Sequence, residues 1–239
     1  MTHDVLTTII TAAAAILIAI FFGAAQVYFF NRMPGKWLVN YGEEPDEELK
    51  NPTVQRLKST PWKYIFTGFY IVIGIWLGIR NPYFAMPALI TIWLLVEMSI
   101  CDIKYRIIPD QLIILLVVCA IGFITQMEGN VKSMLFGALT GLGIMMLIFL
   151  ISKLLFKKQG VGGADIKIYA ALGLSMGTVG IVTIFVISTI ISGIHMGIMA
   201  ARKNAGLKES KPMVPYIAAA TAVYLCFMYN NNLFFSILL

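Results

Sequence analysis

Long apolar runs separated by short polar segments set the pattern of this chain. Runs at 5–30, 64–79, 83–101, 111–126 and 133–156 are followed by one from 165 to 201 and a last one from 214 to about 235. A helix that crosses a hydrocarbon core of about 30 Å needs about 20 apolar residues. The run 165–201 is too long for one crossing, since at ~1.5 Å per residue it would extend roughly 55 Å. Gly173, Gly177 and Gly180 lie inside it and offer a place to turn. The pattern therefore predicts a short helix over 165–176 and a full one over 179–201. The expected fold class is all-α: a polytopic membrane helical bundle of about eight transmembrane helices, the sixth short.

Charge tests that count, because Lys and Arg concentrate in cytoplasmic loops. With the N-terminus outside, 16 of the 18 cations fall on the inner side, and only Arg80 and Lys132 fall outside. Seven crossings would put Arg202, Lys203, Lys208 and Lys211 on the wrong side. The net charge of +6 is thus a topology signal, and no nucleic-acid partner is expected.

Composition adds little to this picture. Of 239 residues, 59% are hydrophobic and 13% charged, with a mean hydropathy of +0.84, whereas soluble domains carry about 25% charged residues. A lipid bilayer is therefore the expected surrounding. The longest polar stretch is 31–63, so residues 1–239 read as a single membrane domain with 31–63 as a cytoplasmic loop. The first apolar run is too long for a signal sequence and no Lys or Arg precedes it, so it reads as a retained helix. Cys101, Cys119 and Cys226 sit in or beside apolar runs, without metal-ligand spacing. They read as buried thiols, and no metal is expected.

Loop 31–63 carries an acidic run, Glu43, Glu44, Asp46, Glu47 and Glu48, among Pro34, Pro45, Pro52 and Pro61. It reads as a solvated connector, or as a docking surface for a basic peptide. Gly137, Gly141 and Gly143 read as close packing between helices.

Two polar motifs stand at the ends of apolar runs. One is Gly160-Val161-Gly162-Gly163-Ala164-Asp165-Ile166-Lys167; the other runs from Asp102 to Ile108-Pro109-Asp110. An acid at a membrane boundary is costly and is a functional hypothesis by default. Both aspartates fall on the inner side. Two carboxylates that share one proton can activate a water and polarise a carbonyl, which is what peptide hydrolysis needs. The glycines beside Asp165, Gly162 and Gly163, would let a substrate backbone approach closely and let the chain adopt conformations closed to other residues. Taken alone, Asp165 reads as a helix N-cap and Asp102 as a solvated interfacial acid. Together they read as a catalytic pair.

Other candidates have plainer readings. Glu97 points some 140° of helix rotation away from Asp102 and is expected to hydrogen-bond. Asp110 reads as the N-cap of the fourth helix. Lys167 either holds a carboxylate or marks the inner interface. His195 reads as a packed, hydrogen-bonded residue. Trp37, Trp62, Trp76 and Trp93 read as interfacial aromatics.

Gly162-Gly163-Ala164-Asp165-Ile166-Lys167 resembles the glycine-x-glycine-aspartate motif of the type IV prepilin leader peptidases. Asp102 with Ile108-Pro109-Asp110 resembles their other aspartate motif. Lys211-Pro212-Met213-Val214-Pro215-Tyr216 is similar to the segment before their last helix, and Asn31-Arg32-Met33-Pro34 to the end of their first. The resemblance runs from about Gly23 to Ala219. It implies a membrane aspartyl endopeptidase of a prokaryotic plasma membrane. Such an enzyme cuts the short basic leader of a prepilin or pseudopilin precursor after a glycine, at the cytoplasmic face. Asp102 and Asp165 match the catalytic pair. Ala164 stands where the family has its second glycine, and loop 31–63 lacks the two Cys-x-x-Cys pairs of many members. No cofactor is implied for proteolysis. S-adenosylmethionine enters only if the new terminus is also N-methylated. Two other readings remain: a small proton- or cation-coupled transporter using Asp102 and Asp165, and an inactive homologue that binds pilin-like helices. Oligomeric state is not legible.

Overall fold

The computed structural model describes residues 2–51, 54–125, 130–156, 162–202 and 211–229. All regular structure among them is helical. The helices are α1 Thr2–Arg32, α2 Glu47–Lys50, α3 Ser59–Arg80, α4 Pro82–Tyr105, α5 Asp110–Cys119, α6 Val131–Phe156, α7 Gly163–Ala201 and α8 Val214–Val223. A 3-10 turn, Ala120–Phe123, prolongs α5, and a π turn, Tyr224–Met228, prolongs α8. Five helices, α1, α3, α4, α6 and α7, are long and apolar enough to cross a membrane. On α6, Leu139, Leu147 and Leu154 are all exposed, as lipid-facing side chains are. The expectations on Gly160, Val161, Lys157, Lys158, Lys203, Lys208 and the last helix beyond 229 lie outside the described residues.

The chain divides into two compact units, Met1–Glu97 and Met98–Leu239. In the first, α1 packs along α3. A Cβ on Gly23 would sit 2.1 Å from Thr67 Oγ1, so the two backbones meet at a distance that only glycine permits. Tyr70, fully buried, donates its hydroxyl to the side-chain carbonyl of Gln26. Trp93 lies in mid-α4, edge-on to Phe29 with ring centroids 5.3 Å apart. This corrects its expected interfacial place: the ring fills space between helices instead of marking a boundary.

The connection 31–63 is tied at its base. Asn31 both donates to the Leu57 carbonyl (3.0 Å) and accepts the Leu57 N–H (2.8 Å). Arg56 is buried, and its guanidinium donates to the carbonyls of Met33 and Leu49, which compensates the desolvated charge. In the acidic run, Glu44 pairs with Lys50 at 3.1 Å, both exposed.

In the second unit α7 is a hairpin. Its 39 residues would make a rod of roughly 58 Å if straight. Yet Tyr169 Oη and Ser188 Oγ, 19 residues apart, are 2.7 Å from each other, where a straight helix would separate them by roughly 28 Å. Tyr169 also packs edge-on against Phe185. The chain reverses at Gly177, whose φ of 69° and ψ of −179° interrupt the helix. The expected split of the long apolar run is thus present, with arms at 163–176 and 178–201. Helix α6 lies against both arms. A Cβ on Gly137 would stand 2.1 Å from the Gly173 carbonyl oxygen, and one on Gly141 would stand 2.2 Å from that of Tyr169. Helix α8 and its π turn close on the second arm, with Tyr224 Oη 2.7 Å from where a Cβ on Gly180 would be.

Candidate active site

Two helix ends and a backbone turn of the second unit form the site. Asp102 lies in the last turn of α4, where polar residues extend the helix past its apolar run. The helix stops at Arg106, whose φ of 57° is left-handed and whose N–H bonds the Asp102 carbonyl at 3.1 Å. Such a residue is usually glycine at a helix C-terminus. An arginine there stores roughly 1–2 kcal/mol of backbone strain, and it turns the chain sharply toward Pro109. Asp165 is the third residue of α7. Its Oδ2 accepts the Gly162 N–H at 3.3 Å, and that contact favours a carboxylate at a helix N-terminus.

Both residues are 8% exposed, so each is largely shielded without being sealed. They are close enough for their charges to interact. Asp102 Oδ2 accepts the Val214 N–H at 3.1 Å, across 112 residues of chain. The Met213 amide also faces this carboxylate, as does the Arg106 charge. Backbone amides at the start of α8 thus hold Asp102, and the start of α7 holds Asp165.

The motif glycines do not adopt the special conformations expected of them. Gly162 has φ −72° and ψ 144°, and Gly163 is helical, so both conformations are open to any residue. The space at Gly163 is open too, with nothing within 4 Å of an added Cβ. At Gly162 a Cβ would stand 3.2 Å from Asp165 Oδ2; there the glycine keeps the carboxylate's flank clear. Ala164 is in helical backbone, which alanine favours.

Asp110 is not an N-cap. Pro109 holds that position, and Asp110 is the first residue of α5, without a capping bond. Its carboxylate instead accepts from Lys167 Nζ at 2.7 Å. This gives Lys167 a partner, and it ties the start of α5 to the start of α7. Beneath the pair runs an apolar cleft of about 500 Å3, lined by Ile113, Val117, Leu142, Ala170 and Leu174.

Residues 89–198, which include both aspartates, match the type IV leader peptidase family. Over this stretch the chain is similar to that family. A relative named prepilin leader peptidase/N-methyltransferase from Xanthomonas campestris is 30% identical over 174 residues, covering 72% of this chain and 60% of that protein. The like-named protein of Bacillus subtilis is 26% identical over 69% of this chain and 63% of its own length. That of Pseudomonas aeruginosa is 31% identical over 55% and 46%. The chain thus spans roughly half to three fifths of the length of these curated relatives. No solved structure matches it.

Among family features the sequence reading missed the part played by Met213 and Val214. They carry no reactive side chain. Their signal is the flanking Pro212 and Pro215, which have no N–H, so the donors near Asp102 are confined to the two residues between them. His195 meets the Tyr216 hydroxyl, in keeping with a hydrogen-bonded, packed residue. Glu97 is fully buried beside the Gln26 amide, but neither carboxyl oxygen reaches hydrogen-bonding geometry.

Proposed function

We propose that this chain is a membrane aspartyl endopeptidase that removes the basic leader of a prepilin or pseudopilin precursor at the cytoplasmic membrane face. The observation that supports the reading is that two shielded acids stand at separate helix ends of one unit, Asp102 held by the Val214 N–H and Asp165 by the Gly162 N–H, inside the family-matched stretch. One ionised carboxylate takes a proton from a water, and its protonated partner donates to the carbonyl oxygen. The hydroxide adds to the carbonyl carbon. On collapse the C–N bond breaks, and the leaving amine takes a proton from the pair. Water is the only co-reactant. The amides of Met213 and Val214 keep Asp102 oriented throughout. The apolar cleft below Asp110 and Lys167 offers a lipid-depth surface to the precursor's apolar helix.

The inner-face placement rests on the asymmetry of Lys and Arg. The hairpin supports it, since reversal at Gly177 returns Arg202 toward the face where α7 began. N-methylation, which the relatives' names mention, needs a methyl donor such as S-adenosylmethionine. The cavity of about 820 Å3 in the first unit is lined by Arg32 and Lys63 and by no acid, which does not suit a sulfonium cation, so no methyl-transfer step is derived.

The test is co-expression with a prepilin from the same genome, for wild type, Asp102→Asn and Asp165→Asn. Processing is read as a gel shift and by N-terminal sequencing of the product. Cleavage after a glycine by wild type, lost in both variants, is expected. Wild-type rates in either variant reject the pair.

A further inference from the structure

The cavity of about 820 Å3 in the first unit is not used by the chemistry above. One end is polar, with Arg32, Lys63, Gln55 and Ser59. The other is apolar, with Phe21, Ala24 and Ala25 of α1. The polar end coincides with the ends of two candidate spans, Ala12–Arg32 and Ser59–Arg80. The cavity therefore straddles a membrane interface. Its apolar wall opens sideways, for Phe21 is 69% and Tyr28 66% exposed.

Cations at the inner ends of spans have an ordinary explanation in topology. Arg32 fits it, because it also completes the C-terminal turn of α1, where a cation suits the helix dipole. Lys63 does not. Helical geometry in α3 begins only after Thr60, whose φ −105° and ψ 131° are extended, so Lys63 stands in the first true turn. A cation there opposes the dipole. The same helix start favours an anion. Two cations, a helix N-terminus and no acid thus face one cavity whose other wall is apolar and lipid-deep.

We propose that this cavity binds an anionic phospholipid. Its phosphate sits between Arg32 and Lys63, and an acyl chain lies along Phe21, Ala24 and Ala25. Basic pockets between membrane helices suit such headgroups. A free phosphate would use the cations and leave the apolar wall empty, and a basic peptide would be repelled by both cations. The proposal is independent of the peptidase reading, since the site lies wholly in the other unit.

The test uses the whole chain, purified and delipidated in a neutral detergent. Binding is read by native mass spectrometry and by the unfolding midpoint, with phosphatidylglycerol, phosphatidylcholine or glycerol phosphate added. Phosphatidylglycerol is expected to remain bound and to raise the midpoint, and the other two are not. Arg32→Gln with Lys63→Gln should weaken binding by roughly tenfold or more, while the equally charge-reducing pair Lys153→Gln with Arg202→Gln should not. Should the first pair fail to fold, Ala24→Trp fills the apolar wall with both cations kept, and it should weaken phosphatidylglycerol alike. Equal binding of phosphatidylcholine, saturation by glycerol phosphate alone, equal loss in the control pair, or full binding in Ala24→Trp each overturns the site.

Discussion

Gly177 carries the reversal that brings Asp165 to the site, and replacing it by alanine is the sharpest test of the fold. Its φ of 69° with ψ of −179° lies in a region essentially reserved for glycine, where another residue costs on the order of 1–3 kcal/mol. Relief by movement is blocked, because a Cβ on Gly137 would stand 2.6 Å from both Gly177 Cα and its carbonyl carbon. The backbone of α6 already presses on the turn. We therefore expect the upper part of that range, about 2–3 kcal/mol, for Gly177→Ala. For a chain of this size that is an unfolding midpoint lower by roughly 4–12 °C.

The assay is thermal unfolding in detergent, followed by helical circular dichroism, with internal controls on the same helix. Gly193 and Gly197 lie on the second arm, with nothing within 4 Å of an added Cβ. Alanine there should be neutral or stabilise by up to about 1 kcal/mol through helix propensity. The sign of the effect thus separates the turn from the arms. If Gly177→Ala melts with Gly193→Ala and Gly197→Ala, the hairpin does not reverse at Gly177. Cleavage by Gly177→Ala should also fall at temperatures where it is still folded, because the first arm sets where Asp165 stands.

Three more outcomes follow from the site. Lys167→Ala removes a pair whose side chains are 55% and 61% exposed, worth at most about 1 kcal/mol, so the cleavage rate should stay within roughly fivefold; a hundredfold loss would make Lys167 a participant. On the proposed mechanism the cleavage rate should be bell-shaped in pH, since a pair that must share one proton between two groups fails when it holds two or none; a profile that only rises or only falls refutes the shared proton. Val214→Pro should abolish cleavage, because the change deletes the N–H that Asp102 accepts, and it should also lower stability, because Met213 before it holds the α conformation (φ −92°, ψ −30°) that a following proline disfavours. Val214→Ala, which keeps that N–H, should cleave normally, and a cleaving Val214→Pro would free Asp102 from this bond.

The apolar pattern foretold the helices well because burial in lipid leaves a backbone few options beyond the helix. It foretold the reversal of α7 for a geometric reason: 37 consecutive residues from 165 to 201 exceed any single crossing. The glycines nearby could not be ranked from sequence, since Gly173 turned out to serve contact with α6 and only Gly177 the turn. Asp110 was misread because a short polar side chain before an apolar run has the signature of a cap. What overrode it was Pro109, already extended before the helix, and a lysine 57 residues away. Trp93 was misread because its sequence neighbours say nothing about Phe22 and Phe29, which reach it from α1.

The two aspartates were legible because an acid at a membrane boundary is chemically conspicuous. The groups that fix one of them were not, because a backbone amide is present at nearly every residue. Legibility here followed scarcity. Between Pro212 and Pro215 only two residues can donate, and both face Asp102. The prolines therefore do more than punctuate the approach to α8. Pro215 pre-sets the first turn of that helix, and Pro212 leaves the preceding chain without a competing donor. A proline-bracketed pair of ordinary residues at a helix start is thus a readable sign that their amides are reserved for an acceptor elsewhere in the chain. In this protein that acceptor lies 112 residues earlier.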